Sequence, residues 1–205
     1  MEFFLPLTDQ SVNSSMRKNK KAKILESSLA LFSQKGYHAS TIEEIAKAAG
    51  VGKGSVYNYF ESKESLLKAL IFETILEAVE WMDSDHDGVI TEQEFFQVIR
   101  KSKKWLIKNR KFLILYYSIV TQPKVNIILE KELWQILEPH MKKAEDFFRH
   151  HGFADPVAEL RFFFAMLDGI SVNYVVDPNN FPLDHAVDRL IKYYEGLLQN
   201  DAPNR

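Results

Sequence analysis

The chain has no cysteine among its 205 residues, which excludes a disulfide framework, a thiolate metal site, an iron–sulfur cluster and a cysteine nucleophile. It also lacks any apolar run near the ~20 residues that cross a bilayer, so a membrane-embedded role is excluded. The opening MEFFLPLTDQSVNSS has an acid at Glu2 and no basic stretch before Phe3-Phe4-Leu5, and so does not read as a secretory signal. A protein that stays in a reducing cytoplasm is the expectation. β-Branched alternation is scarce, and only 8 glycines and 7 prolines interrupt apolar residues that recur at helical spacing, which predicts an all-α fold. What is abundant is apolar surface: 46% apolar and 13% aromatic residues suffice for a packed core and are too many for a disordered chain.

Charge is nearly balanced overall, at −2, but it is unevenly placed. Residues 16–63 hold nine Lys/Arg against four Asp/Glu, whereas 64–205 hold 17 against 22. A basic head on an acidic body points to a polyanionic partner.

The apolar periodicity divides the chain into a flexible arm over 1–15, a basic head over 16–63 and a helical body over 64–200. Met16, at the start of the basic run, stands as an alternative initiation site. Ile24, Leu25, Ser28, Leu29, Leu31 and Phe32 form one stripe of a helix over about 17–35, closed by Gly36. Thr41-Ile42-Glu43-Glu44 is a capping box that opens a short helix stopped by Gly50. A further short helix follows from Lys53 to Phe60, with Val56 and Phe60 four apart for the core and Lys53, Ser55, Tyr57 and Tyr59 facing out. A fourth runs to about Met82, and later helices are expected at 92–109, 111–121, 124–151 with a kink at Pro139, 155–176 and 183–198.

Two short helices joined by a glycine-containing turn and buttressed by a longer one are the parts of a helix-turn-helix unit, whose second short helix enters the major groove. Here that helix carries the ammonium, hydroxyl and phenol groups that bond base edges and phosphates. The blocks KILESSLALFSQKGY at 23–37, TIEEIA at 41–46 and GVGKGSVYNYFESKESLL at 50–67, in this order, resemble the TetR family of bacterial one-component transcription regulators. Farther along, Leu167-Asp168-Gly169-Ile170 resembles the family's penultimate helix.

The resemblance implies a homodimer that binds a palindromic double-stranded operator and leaves it when a small apolar or amphipathic effector occupies the C-terminal domain. It places Thr41 and Lys63 at helix N-termini facing phosphates, Lys53, Ser55, Tyr57 and Tyr59 on the recognition helix, and Arg17 and Lys18, with Lys20 and Lys21, against flanking DNA. Dimerisation is expected through 155–176 and 183–198. There Ala158, Phe162, Ala165, Leu167, Gly169, Val172, Leu190, Tyr193, Tyr194 and Leu197 exceed what one helix pair hides. Asn173 and Tyr174 are the expected polar contacts to the effector.

No enzymatic motif accompanies these features. Gly50-Val51-Gly52-Lys53-Gly54-Ser55 lacks the Lys-Ser/Thr ending and preceding strand of a phosphate loop, and neither Gly-x-Ser-x-Gly nor His-Glu-x-x-His occurs.

The segment Asp83 to Glu94, DSDHDGVITEQE, departs from the family pattern. It satisfies the spacing of an EF-hand calcium loop, with Asp83, Asp85 and Asp87 as carboxylate ligands, Gly88 at the bend, Val89 offering its carbonyl, Thr91 acting through water and Glu94 closing bidentately. Ile90 is expected to point inward. Calcium is therefore an expected cofactor. The competing function class is a calcium-binding interaction or buffering protein whose basic head meets other partners.

Overall fold

The computed structural model describes the backbone of residues 9–120 and 123–200 and the side chains of 17–120 and 131–199. Among the described residues there are nine α-helices and no strand, as the apolar periodicity predicts. The chain forms two compact units, 1–71 and 72–205, and the division falls within a helix, beyond the expected boundary at 63.

In the first unit, α1 spans Asp9–Lys35. It starts before the expected residue 17 because nothing between Asp9 and Met16 breaks a helix, and an acid at the first position suits the positive end of the helix dipole. Residues 9–15, expected as part of an arm, are therefore helical, and 1–8 lie outside the described residues. Ile24 and Phe32 are buried on one stripe of α1. Ser28 lies on the same stripe, and its hydroxyl donates to the Ile24 carbonyl at 2.6 Å, which satisfies a polar group in the core. Gly36, at φ 89°, ends the helix in the left-handed conformation.

Thr41 caps α2 (Ile42–Ala49) with the expected box: its hydroxyl accepts from the Glu44 amide and its amide donates to the Glu44 carboxylate. Helix α3 (Lys53–Tyr57) ends earlier than expected, but the amide of Phe60 still bonds the Val56 carbonyl at 3.0 Å. Val56 and Phe60 are both buried as a result, and the short helix shows one face outward. Helix α4 spans Lys63–Val79, with Leu66, Leu67, Leu70 and Ile71 buried.

The second unit adds α5 (Glu92–Lys108), α6 (Arg110–Val120), α7 (Pro123–His150), α8 (Pro156–Val176) and α9 (Leu183–Asn200). Helix α5 packs on α9, and α8 packs on α6, α7 and α9. Phe95 of α5 lies at the centre of an aromatic core, stacked on Phe147 at 4.7 Å and edge-on to Phe148 and Tyr194. A gap of about 10 Å³ among these rings, lined by Met82, Ile90 and Phe163 among others, is at the limit for a single water.

Candidate functional site

The outward face of α3 is built by exclusion. With Val56 and Phe60 in the core, Lys53 and Tyr57 are exposed and Ser55 and Tyr59 half-buried. Tyr57 leaves 47% of its surface free, so its ring and hydroxyl are open to a partner. Lys53 lies 3.9 Å from Glu43, a long exposed pair that holds the lysine weakly. Arg17 and Lys18 are exposed on α1.

The two helix-terminal residues of the expected DNA face are engaged differently. The Thr41 hydroxyl accepts from the Glu44 amide at 3.2 Å and donates to the Glu44 carboxylate at 2.9 Å, so both of its roles are committed within the cap. Lys35 donates to the same carboxylate at 2.5 Å, and together with Thr41 it holds Glu44 down at about 2. Lys63 does not face outward as expected. Its Nζ donates to the carbonyls of Tyr37, His38 and Ser40 at 3.0, 3.1 and 2.9 Å and lies 4.6 Å from the Tyr37 ring centroid. An ammonium has three protons, and all three close the 37–40 turn, so Lys63 is a clamp within the head.

The acidic loop between α4 and α5 brings Asp83, Asp85 and Asp87 together, one oxygen from each lying within 4.8 Å of the others. His86 and Gly88 adopt positive φ, 60° and 89°, and the amide of Gly88 donates to Asp83. Ile90 is buried and Val89 exposed. Two expected ligands, however, are used otherwise. Glu94 accepts from the amide and hydroxyl of Ser84 at 2.7 and 2.9 Å and from the amide and hydroxyl of Thr91 at 3.1 and 3.0 Å, so Thr91 and Glu94 form the capping box of α5. Burial alone would raise the Glu94 carboxyl, but these bonds outweigh it and hold the group below its ordinary value. A residue that sequence reasoning missed, Lys143 of α7, ion-pairs with Asp83 and is the main cause of its lowered pKa. In this geometry three carboxylates gather, the fourth is engaged by Ser84 and Thr91, and an ammonium balances Asp83.

Farther along, Asn173 and Tyr174 do not share a site. Asn173 is exposed and donates to the Gly169 carbonyl at 2.7 Å, while Tyr174 is buried, because adjacent helical residues point about 100° apart. Of the expected dimer residues, Leu190 and Tyr194 belong to the core, where the Tyr194 hydroxyl donates to Glu159 at 2.8 Å. Ala158, Phe162, Ala165, Gly169 and Val172 are exposed along one face of α8 that continues to Val176, and Tyr193 is exposed on α9. Tyr117 of α6 lies 3.4 Å from Asp168; burial pushes the phenol up to about 12 and raises the carboxyl too.

Among the described residues no helix is long and apolar enough to cross a membrane. Residues 24–70 match the model of a family described as bacterial regulatory proteins, tetR family. Over 132 residues the chain is 29% identical to the fatty acid metabolism regulator protein of Bacillus subtilis (strain 168), covering 61% of this chain and 64% of that relative. The match therefore spans just under two thirds of the relative's length. The fold is shared with FadR from Bacillus subtilis in complex with stearoyl-CoA, at TM-score 0.71 and 22% identity over 89% of this chain and 99% of that one. It is also shared with NalD, the secondary repressor of the MexAB-OprM multidrug efflux pump in Pseudomonas aeruginosa, at TM-score 0.69 and 20% identity over 91% and 99%.

Proposed function

We propose that this chain, which carries a tetR-family N-terminal domain at residues 24–70, is a homodimeric transcription repressor. It holds a palindromic operator until a small amphipathic effector occupies its second unit. The observation that carries this reading is the surface of α3 and the turn after it, where Lys53 and Tyr57 are exposed and Ser55 and Tyr59 half-buried on a head with a basic surplus. The protein acts by binding and conformational change rather than by catalysis, in the cytoplasm with its DNA. An acyl-type effector is the class we favour, because the relatives include a regulator of fatty acid metabolism and a regulator bound to stearoyl-CoA. The exposed apolar face of α8 supports the dimer.

Selection of genomic fragments by the purified protein tests the reading. One palindromic site should be enriched, and Tyr57→Ala should lose that preference, at about 1–3 kcal/mol per base contact. Enrichment of no sequence, or an unchanged preference in the variant, overturns it and favours the calcium-buffering class.

A second reading concerns the acidic loop, and the gathering of Asp83, Asp85 and Asp87 favours it. A divalent cation there exchanges with Lys143, and Glu94 becomes a ligand only by leaving Ser84 and Thr91. Calorimetry with calcium on the wild type and on Glu94→Gln decides it: saturable heat that the variant loses supports a calcium site, and no heat up to millimolar calcium leaves an acidic turn closed by a lysine.

A further inference from the structure

Three side-chain donors lie at the elbow between α5 and α6, and none has an acceptor. The indole Nε1 of Trp105, the amide Nδ2 of Asn109 and the guanidinium Nε of Arg110 are each shut off from solvent without a hydrogen-bond partner. Trp105, in the last turn of α5, and Asn109, which caps that helix, lie four residues apart, and the backbone N–H of Asn109 bonds the Trp105 carbonyl at 2.8 Å. Arg110 begins α6, and its Nη2 reaches the Val175 carbonyl at the end of α8, 3.0 Å away. No carboxylate among the described residues pairs with Arg110, and the neighbouring cation Lys108 is already held by Glu77 at 2.6 Å.

Bare donors in a folded interior are rare and call for an acceptor. Here all three orphans are donors and one belongs to a cation, so the missing group is an oxyanion. An aromatic row leads away from the elbow: Trp105 is edge-on to Phe112 at 6.1 Å, and Phe112 stacks on Tyr116 at 5.9 Å. We propose that the α5–α6 elbow binds the oxyanion head of an amphipathic ligand through Trp105, Asn109 and Arg110, with the ligand's apolar part along the Phe112–Tyr116 row. The inference rests on the effector-controlled reading above and names the chemistry of its effector. Because the donors are closed over, the ligand enters by opening the elbow, and it favours the opened arrangement by supplying the acceptors the closed one lacks.

Calorimetry without DNA tests the site, with sodium decanoate, decyl phosphate and decan-1-ol as probes. At least one of the two anions should bind saturably, at least about tenfold tighter than the alcohol, and the better of the two identifies the head as carboxylate or phosphate. Trp105→Phe keeps the ring and removes the N–H; it should weaken the anions severalfold, leave the alcohol unchanged and melt no lower than wild type. Asn109→Asp places a carboxylate beside Arg110 within the chain, and should raise the melting temperature and abolish anion binding. Equal binding of anion and alcohol, no saturable binding of either anion to millimolar concentration, or a melting temperature lowered by Trp105→Phe overturns the proposal. Operator release is measured separately. Anion binding that leaves operator affinity unchanged sinks the regulatory reading and spares the site; selective DNA binding by a protein that takes no anion does the reverse.

Discussion

Lys143 of α7 donates to Oδ2 of Asp83, 60 residues earlier in the chain, and Asp83 is the first carboxylate of a loop with calcium spacing. The lysine neutralises a side chain that is only 4% exposed, while the other oxygen of Asp83 has no hydrogen-bond partner. A tethered ammonium therefore does part of what a bound cation does in such a loop: it offsets carboxylate repulsion and ties the loop to a neighbouring helix.

Lys143→Met tests that role. Removing the ammonium leaves Asp83 buried without its counter-ion, at a cost of about 1–3 kcal/mol, and the melting temperature should fall. Millimolar calcium should raise the melting temperature of the variant more than that of the wild type, because the cation no longer competes with an ammonium. Equal calcium responses in the two proteins would show that Lys143 and the cation do not compete.

Lys63 and Lys53 separate folding from DNA contact. Lys63→Met retains the stem over Tyr37 but drops three hydrogen bonds to carbonyls, so it should destabilise the protein by about 1–3 kcal/mol while leaving the salt dependence of DNA binding unchanged in denaturant-free buffer. Lys53→Ala should leave stability within about 0.5 kcal/mol and reduce the salt slope of binding by about one. Thermal melts and binding isotherms across a salt series check both.

Glu44 sets part of the acid response of the head. Its carboxyl is held at about 2 against an ordinary 4.5, first by the bond from Lys35 and then by those from Thr41. A folded pKa below the unfolded one stabilises the charged form, so the contribution is complete above pH 4.5 and is lost as pH falls toward 2. Denaturant midpoints measured through this window should fall less steeply in Glu44→Gln than in the wild type, and the two proteins should converge at the acid end.

Gly169 separates fold from assembly. A Cβ placed there meets no atom within 4 Å in the chain, and the residue is exposed on the apolar face of α8. Gly169→Leu should therefore preserve or raise helix stability, by up to about 1 kcal/mol, while keeping two α8 helices from close approach. Sedimentation should report a dimer for the wild type and a monomer for the variant; an intact dimer in the variant would move the interface elsewhere.

The parts that were legible in the sequence are those decided within about four residues. Thr41 and Glu44 cap α2 as their spacing requires, and Ile24, Ser28 and Phe32 share one stripe because a helix repeats every 3.6 residues. The separation of Asn173 from Tyr174 follows from the same period and was available to sequence reasoning. Thr91 and Glu94 show the limit of local spacing, because Thr-x-x-Glu fits both a capping box and the last ligands of a calcium loop. Only the positions of Ser84 and Lys143 distinguish the two.

By itself, the sequence determined the helical periodicity, the capping box of α2 and the residue types that α3 offers, since each depends on neighbours along one turn. The tertiary structure decided which polar groups are available for binding. Lys63 closes a turn 23–26 residues before it, Lys143 reaches Asp83 across 60, and Arg110 reaches Val175 across 65. The physical reason is the geometry of the contacts: a charged side chain bonds whatever the fold brings within about 3 Å, and partners that far apart in the chain meet only when helices pack.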